Sequence, residues 1–202
     1  MILVALDAIA DAPRALVARV AAHLRLPPPA LTDLADPLAN LPPEAASDGA
    51  RLLDLEANAT GPASVHATTP PHAHAVDALA SLARRNLVTS VITMRDTSAG
   101  ARWLAAHGLG TLGVARFASG SFAATHAAII QYARERRARL LIEHDPRVAH
   151  AVAEAGYPVI LLDLPYNRAL AHPLVLRAYD WRGIHGLLLA LPIDRRKDRR
   201  GF

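Results

Sequence analysis

The chain has 202 residues, contains no cysteine, is 52% hydrophobic and carries a formal net charge of +4. The absence of cysteine excludes disulfides, thiolate catalysis and cysteine-ligated zinc sites. The apolar content suffices for a sizeable core, and no apolar run reaches the roughly 18 residues that a membrane helix needs. The first residues lack the charged start of a signal peptide. We therefore expect a cytoplasmic globular protein that does not cross a membrane.

The surplus of positive charge lies near the end of the chain, in the sequence RRKDRR at 195–200. Without this stretch, which carries five positive charges and one negative, the rest of the chain is nearly neutral. We interpret the stretch as a solvated end rather than an arm that contacts phosphates. Aromatic residues make up only 4% of the chain, which leaves few side chains to stack on bases. We do not expect nucleic-acid binding, and the sequence does not indicate an oligomeric state.

The first apolar run, Ile2 to Leu6, ends at Asp7, as a buried parallel strand does when it brings a polar side chain to its carboxyl edge. Pro13 to Leu26 follows as an amphipathic helix. Residues 27–71 are rich in Pro, Ala and Asp and show only short helical stretches. The histidines between His66 and His74 are typical of a metal site or an exposed linker. We favour the linker, because no carboxylate stands among them.

The remaining chain alternates between helical periodicity and short apolar runs, which predicts an α/β fold with a parallel sheet. Further core strands are predicted at Val88 to Thr93, Leu140 to Glu143 and Val159 to Leu162, with a short strand at Thr111 to Val114. Helices are predicted at Ala73 to Arg85, from Asp96 or Thr97 through Trp103, at Ala123 to Arg136, from Pro146 to a stop at Gly156, and at the end of the chain up to Leu191.

An acidic cluster after a strand, then a helix, a second strand, the sequence PYNR at 165–168 and a later Trp181 form a distinctive series. This series resembles the carboxyl-terminal half of the haloacid-dehalogenase superfamily, and within it the 5'-nucleotidase branch that includes the 5'(3')-deoxyribonucleotidases. The resemblance implies a Rossmann-like parallel sheet flanked by helices, formed by residues 1–26 and 72–192. It also implies a small helical cap at 27–71, with a basic tail at 193–202.

In that superfamily the first strand ends in a DxD motif, whose first Asp attacks phosphorus and whose second acts as acid and base. Asp7 matches either position. If Asp7 is the first, Ile9 stands at the place of the acid/base, and if it is the second, Ala5 stands at the place of the nucleophile. The resemblance thus makes Asp7 the candidate catalytic residue, while a purely structural role as the polar end of a buried strand stays open.

Two further motifs concern phosphate. The resemblance implies that Thr93 and Arg95 bind the phosphoryl group, and the alternative for the same stretch is a helix cap at Asp96 or Thr97. The superfamily also places a Lys near the start of a later helix. The chain has a single Lys, Lys197 in the tail, and Thr125 or His126 takes the place of the expected cation.

The superfamily holds Mg²⁺ with the first-strand Asp and two acids after a later strand. The matching candidates are Asp7, Glu143 and Asp145, with His144 standing where one acid of the pair is expected. Because Mg²⁺ prefers hard oxygen ligands, an imidazole in this set weakens the site. We therefore expect Mg²⁺ binding to be weak or absent.

Two functions remain. The favoured one is a nucleotidase-like protein with a degenerate active site, which binds a phosphorylated small molecule and has little or no phosphatase activity. The alternative is an active, metal-dependent phosphomonoesterase that uses Asp7. If the protein is an enzyme, the resemblance therefore makes it a phosphatase of the nucleotidase type.

Overall fold

The structure is a computed structural model that describes residues 1–27, 40–45, 69–94, 96–117 and 121–190. Most of the predicted cap, the predicted phosphate ligand Arg95 and the basic tail lie outside these residues. In the part of the chain that is described, no helix is long and apolar enough to span a membrane.

Six strands and seven helices follow one another along the described residues. The strands are β1 Ile2–Ala5, β2 Val88–Thr93, β3 Gly113–Arg116, β4 Leu140–Glu143, β5 Val159–Leu162 and β6 Val175–Ala178. The helices are α1 Leu6–Ile9, α2 Ala12–His23, α3 Ala75–Arg84, α4 Thr97–Ala106, α5 Phe122–Glu135, α6 Pro146–Glu154 and α7 Trp181–Ala190. Two short 3₁₀ helices lie at Pro43–Ala45 and Pro165–Asn167.

The strands form one sheet in the order β3-β2-β1-β4-β5-β6, and every neighbouring pair is parallel. The predicted α/β fold with a Rossmann-like parallel sheet is therefore confirmed. The bounds of β2, β4 and β5 agree with the predicted ones, whereas β1 ends one residue early and β3 lies two residues late. The sequence analysis did not predict β6.

Burial explains which strands the sequence revealed. All four residues of β1, of β4 and of β5 are buried, so these central strands are continuous apolar runs. The edge strand β6 has only one buried residue, Ala178, and Leu176 is 43% exposed. An edge strand with Arg177 in its middle has no apolar run by which it could be recognised.

The helices cover both faces of the sheet. Helix α3 packs against α7, and α5 packs against α6. From β1 the chain moves through β2 to β3 and then returns to build β4, β5 and β6 on the other side of β1. Because crossovers between parallel strands are right-handed, connections that run in opposite directions place their helices on opposite faces. The direction changes between β1 and β4, where a crevice opens at the carboxyl edge of such a sheet.

Two tryptophans tie distant segments to this core. The Trp181 Nε1 atom donates to the Ala8 carbonyl at 2.7 Å, and the Trp103 Nε1 atom donates to the Thr69 carbonyl at 2.8 Å. Both indole rings are fully buried. Trp181 therefore fixes the start of α7 directly to α1, which follows the first strand.

The loop after β5 is held by a partly buried group that we call the Asn167 lock, formed by Asp163, Asn167 and Arg177. The Asn167 side-chain amide donates to the carbonyls of His144 and Leu162 at 2.9 and 2.8 Å. Arg177 donates to Asp163 at 2.8 Å and to the Asn167 side chain at 3.1 Å. The lock joins the carboxyl ends of β4, β5 and β6.

Candidate functional site

A small pocket lies at the carboxyl edge of the sheet, where β1, β2 and β4 end. Its volume is about 20 Å³, room for roughly one water-sized group. It is lined by Ala5, Leu6, Asp7, Ile92, Thr93, Met94, Ile129, Glu143, His144 and Val148. The pocket therefore brings together three residues that the sequence analysis selected as site candidates, Asp7, Thr93 and Glu143. Asp145 follows directly, and Arg95 lies outside the described residues.

Asp7 does not stand at the end of the first strand. Strand β1 ends at Ala5, and Asp7 lies in the first turn of α1. The predicted strand was one residue too long because Leu6 is as apolar and as buried as the strand itself, although its backbone is helical. The side chain at the carboxyl end of β1 is therefore a methyl group, and the carboxylate comes two residues later.

His144 lies at the centre of the polar residues. Its Nε2 atom is 4.0 Å from Asp7 Oδ2 and 3.7 Å from Glu143 Oε1, and its Nδ1 atom is 2.9 Å from the Tyr166 hydroxyl. The His144 side chain is buried, as is that of Glu143. We call these four residues, Asp7, Glu143, His144 and Tyr166, the imidazole cluster.

The hydrogen bond to Tyr166 involves the Nδ1 atom of His144. Burial, reinforced by the nearby charges of Asp11 and Asp7, raises the pKa of Tyr166 far above its usual range, so the phenol keeps its proton. If the phenol donates to Nδ1, the imidazole proton lies on Nε2 and points towards the carboxylates.

The buried carboxyl of Glu143 accepts hydrogen bonds from the backbone. Its Oε1 atom accepts hydrogen bonds from the amides of His144 and Asp145 at 2.8 and 3.0 Å. Burial nevertheless raises the pKa of Glu143 to about 8. In the absence of a cation, burial therefore favours the protonated form of this side chain at neutral pH.

Asp145 caps α6 and is held by Arg147. The Arg147 backbone amide and Nε atom donate to Oδ1 at 2.8 and 3.0 Å, and a guanidinium NH2 donates to Oδ2 at 2.7 Å. Burial by itself would raise the pKa of Asp145, but the hydrogen bonds from Arg147 outweigh it and lower the pKa below its ordinary value. Asp145 is thus an ionised carboxylate with both oxygens committed to one arginine.

The stretch after β2 partly fits the alternative reading as a helix cap. Asp96 caps α4, since its carboxylate accepts from the backbone amides of Ser98 and Ala99, each at 3.2 Å. Thr93 is buried at the end of β2 and lines the pocket. The helix cap is therefore formed by Asp96, and Thr93 remains at the pocket as a candidate.

The place expected for a lysine contains no permanent cation. Thr125 is buried in α5, and burial lowers the pKa of His126, which favours the neutral imidazole. The His126 Nε2 atom is buried and has no hydrogen-bond partner among the described residues. The Arg147 guanidinium lies 4.2 Å from the Phe122 ring centroid, so the nearest arginine of α6 is engaged by both a carboxylate and an aromatic ring.

The residues present do not fit the Mg²⁺ that the sequence resemblance implies. Asp145 is committed to Arg147, and His144 stands between Glu143 and Asp7. In the part of the chain that the structure describes, no group of three His, Asp or Glu side chains is arranged to hold a metal ion. The sequence analysis did not foresee the hydrogen bond to Tyr166 or the ion pair with Arg147.

A larger cavity of about 510 Å³ lies beside the carboxyl ends of β5 and β6. Its polar lining includes Asp11, His72 and Asp163, and its rim includes Tyr179, which is 88% exposed. Asp11 is paired with Arg14 at 3.0 Å, and Asp163 is paired with Arg177 at 2.8 Å. The volume suits a small molecule, while the charges that line it are already compensated within the chain.

Comparisons by sequence and by structure give different results. No family model matches the chain, and no curated protein matches it in sequence. Several solved structures match it over nearly its whole length. A haloacid dehalogenase-like family hydrolase from Streptococcus pneumoniae has a TM-score of 0.58 at 14% identity, covering 93% of this chain and 97% of that one.

Two other matches have similar scores. Protein tyrosine kinase A of Mycobacterium tuberculosis has a TM-score of 0.61 at 15% identity, covering 93% of this chain and 96% of that one. A predicted phosphoglycolate phosphatase from Haemophilus somnus has a TM-score of 0.56 at 11% identity, covering 93% and 97%. At such low identity these matches establish architecture rather than activity. The chain has the fold of haloacid dehalogenase-like hydrolases.

Proposed function

We propose that the protein binds a phosphorylated small molecule at the pocket between β1, β2 and β4 and hydrolyses it little or not at all. The ligand is a phosphate ester such as a nucleotide monophosphate, as the resemblance to the nucleotidase branch suggests. The protein is then a non-catalytic relative of phosphatases that share its fold.

The observation that carries this proposal is the residue at the end of β1. Ala5 occupies the last strand position, and its methyl group cannot attack phosphorus. This supports the alignment in which Asp7 corresponds to the second Asp of the motif. An acid/base without a nucleophile does not complete the two-step reaction, because no aspartyl-phosphate can form.

Charge supports the same conclusion. Phosphoryl transfer needs cations to meet the negative charge that develops on the transferring group. His126 favours the neutral form, and Arg147 is committed to Asp145. Loss of both a nucleophile and its cations costs many orders of magnitude in rate, whereas phosphate binding requires only hydrogen-bond donors and one positive charge.

Phosphate binding is supported by position. The pocket lies where the direction of the sheet changes, the usual place for ligands in parallel sheets, and Thr93 offers a hydroxyl there. Because the pocket holds only about one water-sized group, a single phosphoryl oxygen would enter it while the rest of the ester stays at the mouth. Arg95 follows two residues after Thr93 and supplies the positive charge in this proposal.

The test is a binding titration with nucleoside monophosphates and with inorganic phosphate. Calorimetry measures the binding, and EDTA is present throughout. We expect weak, saturable binding that Arg95→Ala reduces at least about tenfold, the usual cost of a lost charge-assisted contact. Arg102→Ala is the matched control, since Arg102 is exposed on α4. Equal affinities in Arg95→Ala and the wild type would refute the phosphate site.

A further inference from the structure

A histidine side chain of the protein lies between two carboxyl groups of the pocket. In the imidazole cluster, His144 Nε2 lies within 4.0 Å of Asp7 and within 3.7 Å of Glu143. The third expected metal ligand, Asp145, makes a two-pronged ion pair with Arg147. A divalent cation that bound these oxygens would have to displace a buried imidazole and break the ion pair.

The position of His144 is fixed on its other side. Its Nδ1 atom is 2.9 Å from the Tyr166 hydroxyl, while its Nε2 atom faces Glu143 and Asp7 at 3.7 and 4.0 Å. The position of Tyr166 is fixed as well, because its ring packs against a small apolar cluster. This cluster is formed by Val17, Val20, Ala21 and Leu41.

We propose that His144, oriented by Tyr166, occupies the cation position between Asp7 and Glu143, so that this edge of the sheet works without a divalent metal. The inference deepens the proposed function and rests on it, because a phosphate site that performs no phosphoryl transfer needs no Mg²⁺. A direct consequence is that a substitution of His144 should allow a divalent metal to bind. Replacing His144 by an oxygen donor should open the space and create a metal site from the carboxylates that remain.

The experiment uses Mn²⁺, a hard ion with ligand preferences close to those of Mg²⁺, and follows the free ion by electron paramagnetic resonance. For the wild type we expect no saturable binding up to about 1 mM free metal. His144→Asp should bind one Mn²⁺ per chain at least about tenfold more tightly, and excess Mg²⁺ should compete for it. His150→Asp is the control, because it makes the same change at an exposed position of α6.

A second variant, His144→Asn, introduces an uncharged oxygen donor and replaces His144→Asp in the titration if that variant does not fold. Circular dichroism verifies that each variant is folded. Saturable Mn²⁺ binding by the wild type, competed by Mg²⁺, would overturn the inference whatever the variants do. A folded His144→Asp protein with no more affinity than His150→Asp would overturn it as well. The titration contains no phosphate, so its failure would leave the Arg95 result standing, and failure of the Arg95 test would leave the metal result standing.

Discussion

Two partly buried polar groups lie side by side at the carboxyl edge of the sheet, and they differ in the distances between their charged or polar atoms. In the Asn167 lock the hydrogen bonds of Arg177 to Asp163 and Asn167 are 2.8 and 3.1 Å long. In the imidazole cluster His144 stays 4.0 and 3.7 Å from its two carboxyl partners. The lock has the geometry of a group that stabilises the fold, while the cluster borders a pocket and keeps its imidazole farther from both carboxyl groups.

The first way to test this contrast is to break the lock. Asn167→Ala removes the donor to the His144 and Leu162 carbonyls and the acceptor for Arg177. Because each buried group left without a partner costs about 1–3 kcal/mol, we expect the free energy of unfolding to fall by about 3 kcal/mol or more. Urea denaturation measures it. Gln131→Ala, at an exposed position of α5, should change it by less than about 0.5 kcal/mol, and an equally small effect of Asn167→Ala would show that the lock does not hold the loop.

Tyr166 joins the two groups, so its substitution should have the next largest effect. Tyr166→Ala removes the hydrogen bond to His144 and the packing of the ring against the small apolar cluster that includes α2 residues. We expect a loss of about 2 kcal/mol and a lower melting temperature, while Tyr166→Phe, which keeps the ring, should cost about 1 kcal/mol. Thermal unfolding of both variants separates packing from hydrogen bonding. An unchanged melting temperature in Tyr166→Ala would contradict this role.

A third prediction concerns the pH dependence of stability that arises in the imidazole cluster. Burial raises the pKa of Glu143 from its ordinary value of 4.5 to about 8. Between these values the folded protein holds a proton that the unfolded chain has released, so stability falls as pH rises through this window. The contribution to the slope is at most about 1.4 kcal/mol per pH unit.

Glu143→Gln keeps the oxygen that accepts the His144 and Asp145 amides and removes the titration. We expect the stability of this variant to depend less on pH between 5 and 8 than that of the wild type. Denaturation at three pH values in this range provides the comparison. Parallel curves for the two proteins would mean that Glu143 does not titrate in this window.

The sequence predicted the buried central strands but not the edge strand. The central strands were predictable because β1, β4 and β5 are buried throughout, and their apolar runs end in polar residues that meet at one edge. That the carboxyls of Asp7 and Glu143 share a pocket follows from this pattern. The edge strand β6 was missed because its half-exposed residues carry no such pattern.

What the sequence could not provide was the pairing of side chains. Tyr166 and His144 are 22 positions apart, and their contact depends on how the loop after β5 folds back. The sequence also could not decide whether Ala5 or Asp7 occupies the first position of the DxD motif. The answer depends on whether Leu6 is the last strand residue or the first helical one. Apolar character alone does not distinguish these conformations, because both bury Leu6.

The most direct test of the central proposal is turnover. Purified protein is incubated with Mg²⁺ and a broad panel of phosphomonoesters that includes nucleoside monophosphates, in parallel with Asp7→Asn. We expect release of phosphate by the wild type to equal that of Asp7→Asn and of the protein-free blank, because Ala5 offers no nucleophile at the end of β1. Turnover of about 1 per second on any ester, within the ordinary range of enzymes, that disappears in Asp7→Asn would contradict the proposal and identify an active phosphomonoesterase.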